Sequence, residues 1–282
     1  MVTDFPPCSK VAPFGETARS RAHQIRSWLC IGLDPVLHRM PAHFSRDANG
    51  VSDFCTGIIQ STSHVAAAYK LNLAYFEALG WRGWKALERV RGTIPVGIPV
   101  IADAKRGDIG STMTAYAASV FDVLDCHAVT VSPYLGWDAL EPFAAYSGRC
   151  LFILAKTSNP GSKDVQMLSV AGEPLYLNIA RQALAMRCTA EIGLVVGATD
   201  RDAVRRVRAL SPETLLLVPG VGAQGAKMEA TLPLAANDEG DNALITVSRE
   251  ILYPSEPNER DSRRIAEDRA RETWKRAGHG DC

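Results

Sequence analysis

Short apolar runs rich in Val, Ile and Leu alternate along the chain with longer amphipathic stretches. Runs that are apolar throughout are typical of parallel strands covered on both faces, and amphipathic stretches are typical of the helices that cover them. We predict eight strands, at residues 29–34, 68–73, 98–103, 128–132, 151–156, 192–197, 214–219 and 244–248. We predict helices at residues 14–28, before the first strand, and at residues 53–66, 83–91, 112–125, 137–146, 174–187, 200–209 and 261–276.

Eight strands that alternate with helices predict an α/β fold, a (β/α)8 TIM barrel with an extra N-terminal helix. The chain has 282 residues, which is long for one ordinary domain but normal for such a barrel. The sequence contains no evident linker or internal repeat, so residues 1–282 are expected to form one barrel domain, with an irregular N-terminal segment at residues 1–13. In this fold the functional residues lie at the carboxyl ends of the strands and in the loops that follow them.

The charges of the chain are balanced, with 31 Lys and Arg residues against 31 Asp and Glu residues, and no basic stripe is interleaved with aromatic residues. Binding to a nucleic-acid polymer is therefore not expected. The seven cysteines are scattered without a C-x-x-C pair, and their odd number argues against a closed disulfide framework. The apolar runs are too short for a membrane span, and the first residues lack the pattern of a signal peptide. We expect a cytoplasmic protein without a membrane partner.

Charged residues collect after the third predicted strand, in the segment Asp103-Ala-Lys105-Arg-Gly-Asp108. Side chains two residues apart on a strand point to the same face, so Asp103 and Lys105 enter one site together. The alternative is that Asp103 and Lys105 form a surface ion pair beside the start of the helix predicted at residue 112. Asp108 or Ser111 would then cap that helix. The position favours a functional site, because charges that follow a fully buried strand are costly unless they are paired or used. Lys70 adds a second ammonium group at the end of the second strand, and alternating charges suit proton chemistry on an anion.

A glycine-rich segment, Gly220-Val-Gly222-Ala-Gln224-Gly225, follows the seventh predicted strand and fits the G-x-G-x-x-G fingerprint of dinucleotide-binding folds. That fingerprint normally opens the first βαβ unit and is followed about 20 residues later by an acidic residue at a strand end, which is not clear here. In a barrel, the loops after strands seven and eight form the usual phosphate site. Gln224, Arg249 and bare backbone N–H groups near Gly222 and Gly225 suit a monophosphate, and a tight turn alone is the alternative. Residues 223–240 are predicted to be a long loop and a candidate lid.

Several of these segments resemble motifs of the orotidine 5'-phosphate decarboxylases. Residues 103–109 resemble the D-x-K-x-x-D-I signature of that family, and Lys70 stands where its first lysine stands. The resemblance extends to Cys30-Ile-Gly-Leu-Asp34-Pro35, Thr157-Ser158-Asn159-Pro160-Gly161, Pro219-Gly-Val-Gly222-Ala-Gln224-Gly225 and Thr246-Val-Ser-Arg249. It implies that Asp34 binds a ribose hydroxyl, that Ser158 contacts the pyrimidine ring, and that Gln224 and Arg249 bind the phosphate. The N-terminal extension and the T-S-N-P-G and P-Y-L-G-W-D stretches are most similar to the bacterial long-chain, type 2 branch.

The resemblance implies a carboxy-lyase that converts orotidine 5'-monophosphate to UMP and CO2 in de novo pyrimidine biosynthesis. Lys105 would stabilise the C6 carbanion and protonate it, and Asp103 would hold Lys105 and face the departing carboxylate. Lys70 would orient Asp103 and the ribose. Asp108 and Thr112 would reach into the neighbouring site of a homodimer. No cofactor and no metal is expected, because no pyridoxal, thiamine or metal signature is evident and the six histidines lack metal-ligand spacing.

Two other functions stay open from the sequence. A metal-dependent sugar-phosphate decarboxylase of the same barrel superfamily also carries D-x-K-x-x-D, but such enzymes use an acidic metal ligand in the second strand, where this chain has Lys70. A non-catalytic barrel would bind UMP with the same loops and leave orotidine 5'-monophosphate unchanged. Turnover in the presence and absence of a chelator distinguishes the three functions.

Overall fold

The eight predicted strands form a closed parallel barrel in which each strand pairs with its neighbours in sequence and the last pairs with the first. The structure is a computed structural model and describes residues 12–222, 225–253 and 262–277. The strands are β1 (Leu29–Leu33), β2 (Ala68–Asn72), β3 (Val100–Arg106), β4 (Ala128–Val131), β5 (Cys150–Lys156), β6 (Glu191–Val196), β7 (Leu216–Pro219) and β8 (Ala243–Val247). The (β/α)8 barrel with an extra N-terminal helix is confirmed.

The helices and short turns lie between and around the strands. The helices are α1 (Phe14–Ile25), α2 (Ala48–Thr62), α3 (Leu73–Glu77), α4 (Gly80–Thr93), α5 (Gly110–Ala118), α6 (Glu141–Ala144), α7 (Ser162–Gln166), α8 (Leu175–Leu184), α9 (Arg201–Arg208), α10 (Met228–Ala235), α11 (Arg249–Leu252) and α12 (Ser262–Ala277). Two 3₁₀ turns (Leu37–Arg39 and Asp138–Leu140), a π-helical turn (Ser119–Val123) and a small hairpin (Ser169–Val170 with Glu173–Pro174) complete the described elements. Within the described ranges, no helix is long and apolar enough to cross a membrane.

The prediction of a long loop at residues 223–240 is wrong at its centre, because α10 occupies Met228–Ala235. Met228, Leu232 and Ala235 are spaced as on one face of a helix, and their side chains are buried. That burial stabilises a helix that Pro233 and the small residues around it conceal in the sequence. The predicted lid function stays a prediction, and residues 223 and 224 lie outside the described part of the chain.

The barrel interior is apolar at the amino-terminal ends of the strands. Inward-facing side chains there, including Ile101, Phe152 and Leu244, form one cluster with α1. Phe14 of α1 is buried and meets Phe152 edge to face, with ring centroids 5.6 Å apart. Glu191, the first residue of β6, accepts a hydrogen bond from the backbone N–H of Gly15 at 2.6 Å and so holds the start of α1. Helix α1 therefore closes this end, and polar side chains can face a cavity only at the other.

Some predictions concern residues that the structure does not describe. The irregular segment predicted at residues 1–13 falls there except for Ala12 and Pro13. One domain over residues 1–282 stays a prediction, because residues 1–11, 254–261 and 278–282 are also outside the described ranges. The described cysteines are free thiols, namely Cys30, Cys55, Cys126, Cys150 and Cys188.

Candidate active site

A cavity of about 370 Å³ opens at the carboxyl ends of the barrel strands. The alternation of side chains along β2 and β3 directs Lys70 and Asp103 into it, each two residues beyond an inward-facing apolar residue. Asp34 enters from the end of β1. The segments after β5, β7 and β8 supply further parts of the lining. The predicted site residues that line the cavity are Asp34, Lys70, Asp103, Lys105, Ser158 and Arg249.

Four of these side chains form a chain of alternating charge. Lys70 Nζ lies 2.7 Å from Asp103 Oδ2 and 3.5 Å from Asp34 Oδ1. Lys105 Nζ lies 2.5 Å from Asp103 Oδ1. Lys70 and Asp103 are buried, whereas the side chain of Lys105 is 50% exposed at the mouth of the cavity. Each buried charge therefore has an opposite charge in contact, which offsets the cost of removing it from water.

This arrangement keeps both members of the buried pair ionised. Burial alone would lower the pKa of Lys70, but the carboxylates of Asp103 and Asp34 outweigh it, so the pKa lies above the ordinary lysine value. Burial alone would raise the pKa of Asp103, but the ammonium groups of Lys70 and Lys105 outweigh it, so the pKa lies below the ordinary aspartate value. The cavity thus contains fixed charges at neutral pH.

Strand β3 is irregular where it carries these charges. The register between β3 and β4 shifts between Ala102 and Arg106, which marks a bulge. Lys105 has a φ of 47°, in the left-handed region that a residue with a side chain rarely adopts. Such strained backbone is found preferentially at functional sites. The bulge carries Lys105 to the cavity mouth while Asp103 stays within the barrel.

Arg249 lines the same cavity as this cluster. It lies two residues after the end of β8, at the first position of α11, and no other described residue hydrogen-bonds or pairs with its guanidinium group. Arg249 also lines an adjoining cavity of about 900 Å³ together with Gly222. The guanidinium group is therefore available for an anionic ligand at this end.

The glycine-rich segment after β7 is a closed turn. Gly220, Gly222 and Gly225 have φ values of 102°, 77° and 93°, which explains the need for glycine. The backbone N–H of Gly222 donates to Ala226 O at 2.9 Å, and that of Gly225 donates to Gly222 O at 2.8 Å. The N–H groups of these two glycines are therefore not bare, and the prediction of bare N–H groups near them stays a prediction. Gln224, the predicted phosphate ligand, lies outside the described residues.

Asp108 and Thr112 do not line the cavity of their own chain. Asp108 Oδ1 accepts a hydrogen bond from the N–H of Ile109 at 2.8 Å, and Thr112 is exposed in the first turn of α5. Helix α5 begins at Gly110, before the predicted start at residue 112, and neither Asp108 nor Ser111 caps it. The alternative function of Asp108 as a helix cap is therefore wrong, and the predicted contact with a neighbouring subunit stays a prediction.

The residues that line the cavity also include two with a hydroxyl group that were not singled out from the sequence. Thr130 faces it from β4, and Ser248 follows β8. Period-two alternation could have found Thr130, because Ala128 on the same strand faces the barrel interior. The hydroxyl of Ser248 and Oδ1 of Asp34 are buried and have no hydrogen-bond partner among the described residues. Buried polar atoms of this kind are suited to a polar ligand.

Comparison with known proteins agrees with this geometry. The sequence model of the "Orotidine 5'-phosphate decarboxylase / HUMPS family" matches residues 27–263. The chain is 53% identical over 242 residues to the orotidine 5'-phosphate decarboxylase of Roseiflexus sp. (strain RS-1), across 85% of this chain and 89% of that protein. It is 45% identical over 267 residues to the enzyme of that name from Thermomicrobium roseum, across 93% and 95% of the two chains.

A solved structure extends the similarity to three dimensions. The structure of Leishmania donovani OMP decarboxylase is similar with a TM-score of 0.82 and 41% identity, across 94% of this chain and 99% of that one. The bacterial long-chain, type 2 assignment is not addressed by these similarities and stays a prediction. The match over most of the sequence, at high identity and with the barrel retained, shows that the chain belongs to the orotidine 5'-phosphate decarboxylase / HUMPS family.

Proposed function

We propose that this protein is an orotidine 5'-phosphate decarboxylase that forms UMP and CO2 without a metal or an organic cofactor. The observation that carries the proposal is the buried carboxylate of Asp103 between the ammonium groups of Lys70 and Lys105, in a cavity that Arg249 also lines. Because Arg249 and the charged cluster line one cavity, a single substrate can place its phosphate at Arg249 and its reacting ring at the charged cluster.

The reaction requires electrostatic stabilisation. When the bond between C6 and the carboxylate breaks, its electron pair stays on C6 in the plane of the ring, where the π system cannot delocalise it. The Lys105 ammonium group stabilises this charge and then transfers a proton to C6, and solvent reprotonates the amine. Charges that are already in place before the reaction are an effective way to stabilise such a carbanion.

Asp103 and Lys70 prepare Lys105 for this step. The low pKa of Asp103 keeps its carboxylate ionised, so it holds the Lys105 ammonium group through the contact at 2.5 Å. Lys70 compensates the negative charge of Asp103 and so keeps it from being protonated in the buried site. The same carboxylate faces the carboxylate that leaves the substrate.

The remaining cavity residues bind the parts of the nucleotide that do not react. Oδ1 of Asp34, which makes no hydrogen bond to a described residue, accepts a ribose hydroxyl, and Ser158 contacts the pyrimidine ring. Arg249 binds the phosphate, together with Gln224 and the loop at Gly222. Binding energy from the phosphate positions the ring beside Lys105.

The proposed active form is a cytoplasmic homodimer in which Asp108 and Thr112 complete the neighbouring site. The loops after β3 and β4 expose the apolar side chains of Ile109, Tyr134 and Leu135. Exposed apolar groups near one another at the rim of a site are typical of an interaction surface. A second copy of the chain that covers them would bring Asp108 of one subunit to the cavity of the other.

An absorbance assay tests the proposed function, since orotidine 5'-monophosphate and UMP absorb differently in the ultraviolet. We expect the absorbance of the substrate to decrease at the same rate with EDTA as without it. Turnover that requires an added divalent metal would favour the metal-dependent sugar-phosphate decarboxylase. Tight binding of UMP with no change in absorbance would favour the non-catalytic barrel.

A further inference from the structure

Thr130 is a polar residue in the middle of an apolar strand. Its side chain is 1% exposed and lines the cavity at the level of Asp103. Val129 and Val131, its neighbours in β4, belong instead to the core between the barrel and the helices. The strand therefore directs a single hydroxyl group toward the charged cluster.

This hydroxyl group makes hydrogen bonds to three consecutive residues of β3. It accepts from the backbone N–H of Ala104 at 3.1 Å and from that of Lys105 at 2.9 Å. It donates to Asp103 Oδ1 at 3.0 Å. A threonine hydroxyl has one donor and two acceptor positions, so these bonds use its full capacity. Because both acceptor positions face N–H groups, the hydroxyl proton points to the ionised carboxylate.

The three bonds coincide with the bulge of β3. A bulge interrupts the ladder between two strands and leaves N–H groups without their regular partners. Between Ala102 and Arg106 the register of β3 on β4 shifts, and Thr130 supplies a side-chain acceptor there. Of the three residues of β3 that Thr130 contacts, Lys105 has its backbone in the left-handed region. The hydroxyl group thus stabilises a conformation that the chain would not adopt unaided.

Lys105, which acts on C6 in the proposed reaction, and Asp103, which holds it, both make hydrogen bonds to Thr130. Asp103 Oδ1 accepts from Thr130 and from Lys105 Nζ, so one oxygen joins the hydroxyl to the reacting ammonium group. The ligands expected for ribose and phosphate, Asp34 and Arg249, make no hydrogen bond to Thr130 within the described structure. We therefore expect a change at Thr130 to act on placement of the ammonium group more than on binding of the ribose and the phosphate.

We infer that Thr130 is a positioning residue for decarboxylation, which sets the backbone of Lys105 and the carboxylate of Asp103. The inference rests on the proposed function. Thr130 acts through these two residues and contacts no reacting atom. Misplacement of a reacting group by about 1 Å can reduce a rate by about 100-fold, so the effect of losing the hydroxyl is measurable.

Two substitutions distinguish the contribution of the Thr130 hydroxyl group from that of the shape of its side chain. Thr130→Val keeps the shape and removes the hydroxyl, and we expect kcat to fall by about 100-fold, with the KM and the Kd of UMP within about threefold. Thr130→Ser keeps the hydroxyl, and we expect it to restore kcat to within about fivefold of the wild type. Thr130→Cys, of similar size and with only a weak donor, replaces the valine variant if that variant does not fold.

Thr62→Val is the matched control. Thr62 is buried and its hydroxyl bonds Ile58 O and the Tyr69 hydroxyl, both at 2.7 Å, away from the cavity. This variant should lower the melting temperature without lowering kcat. A fall in kcat as large as that of Thr130→Val would show that loss of a buried hydroxyl is sufficient and would overturn the inference.

Other outcomes also overturn it. These are an unchanged kcat in Thr130→Val, a serine variant as impaired as the valine variant, or a rise in KM and in the Kd of UMP with kcat unchanged. A crystal structure of Thr130→Val gives a test that does not depend on activity. We expect Lys105 to leave the left-handed region, and retention of its φ and of its contact with Asp103 would overturn the inference even if the wild type does not turn over orotidine 5'-monophosphate. Lack of wild-type turnover, in contrast, would contradict the proposed function.

Discussion

Lys70 and Asp103 form a buried ion pair in which Nζ lies 2.7 Å from Oδ2. The two residues are on adjacent strands, where Asn72 rather than Lys70 is the register partner of Asp103. The lysine therefore reaches diagonally across the barrel interior to the carboxylate. A pair held by two strands of a closed barrel has little freedom to rearrange. Its charges are therefore in position before a substrate binds, as electrostatic stabilisation of a transition state requires.

Removing one member of this pair should be more damaging to stability than removing both. In Lys70→Met, Asp103 loses a buried partner, and we expect the free energy of unfolding to fall by about 3 kcal/mol. In Lys70→Met/Asp103→Leu, the buried carboxylate of Asp103 is also removed and the half-exposed Lys105 can be solvated, so stability should recover in part while activity does not. Urea unfolding of the three proteins measures this. A double variant less stable than Lys70→Met would contradict the expectation.

The pair also predicts how stability depends on pH. The lowered pKa of Asp103 gives stability that is full above the ordinary value of 3.8 and is lost as the pH falls below it toward the folded value. The raised pKa of Lys70 gives stability that is full below 10.5 and is lost as the pH rises above it toward the folded value. Unfolding measured across pH should show both losses. The double variant Lys70→Met/Asp103→Leu should show a smaller loss at each end, and identical profiles would refute this account.

Lys105→Ala should separate chemistry from binding. The substitution removes the proposed proton donor and the positive charge beside C6, so we expect kcat to fall by at least about 1000-fold. The Kd of UMP should change little, because UMP has no carboxylate or developing charge at C6. Single-turnover absorbance and calorimetric titration with UMP measure the two quantities. Residual turnover near the wild-type rate would exclude Lys105 as the proton donor.

Arg249→Ala should discriminate between substrates with and without a phosphate. Loss of charge-assisted hydrogen bonds to the phosphate should raise the KM for orotidine 5'-monophosphate by about 100-fold. Orotidine, which has no phosphate, is the matched control substrate, and its slow turnover should be unaffected. An equal loss for both substrates would indicate that Arg249 acts elsewhere than on the phosphate.

A mixing experiment tests whether two subunits share each site. Lys105→Ala and Asp108→Ala should each be inactive as homodimers. In a mixed dimer one site contains both substitutions and the other contains neither, so random reassortment should recover roughly a quarter of wild-type activity. No recovery, with mixed dimers demonstrated by native mass spectrometry, would place Asp108 in the site of its own subunit.

The strands and the position of the site could be predicted from the sequence because both depend on local pattern. Strands buried on two faces are apolar throughout, and polar residues at their carboxyl ends follow directly in the chain. Asp34, Lys70 and Asp103 therefore line one cavity, as the pattern predicted. Contacts that join distant parts of the chain have no such pattern.

The bulge in β3 is the clearest example of such a contact. The bulge depends on the hydroxyl group of Thr130, which accepts a hydrogen bond from the backbone N–H of Lys105. The two residues lie 25 positions apart in the sequence. Nothing local to the D-x-K segment indicates a left-handed lysine, because residues with side chains are rarely found there. The glycines predict a turn at Gly222. That the carbonyl group of Ala226 accepts the hydrogen bond from the N–H of Gly222 could be identified only from the folded loop.

The end of the barrel that α1 closes determines how products leave. Phe14, Phe152 and Ile101 are buried below the charged cluster, so carbon dioxide released at C6 meets packed side chains in that direction. We therefore expect it to leave through the mouth at which Lys105 is half exposed. Both products therefore share one exit, and departure of UMP also reopens the entrance for the next substrate molecule.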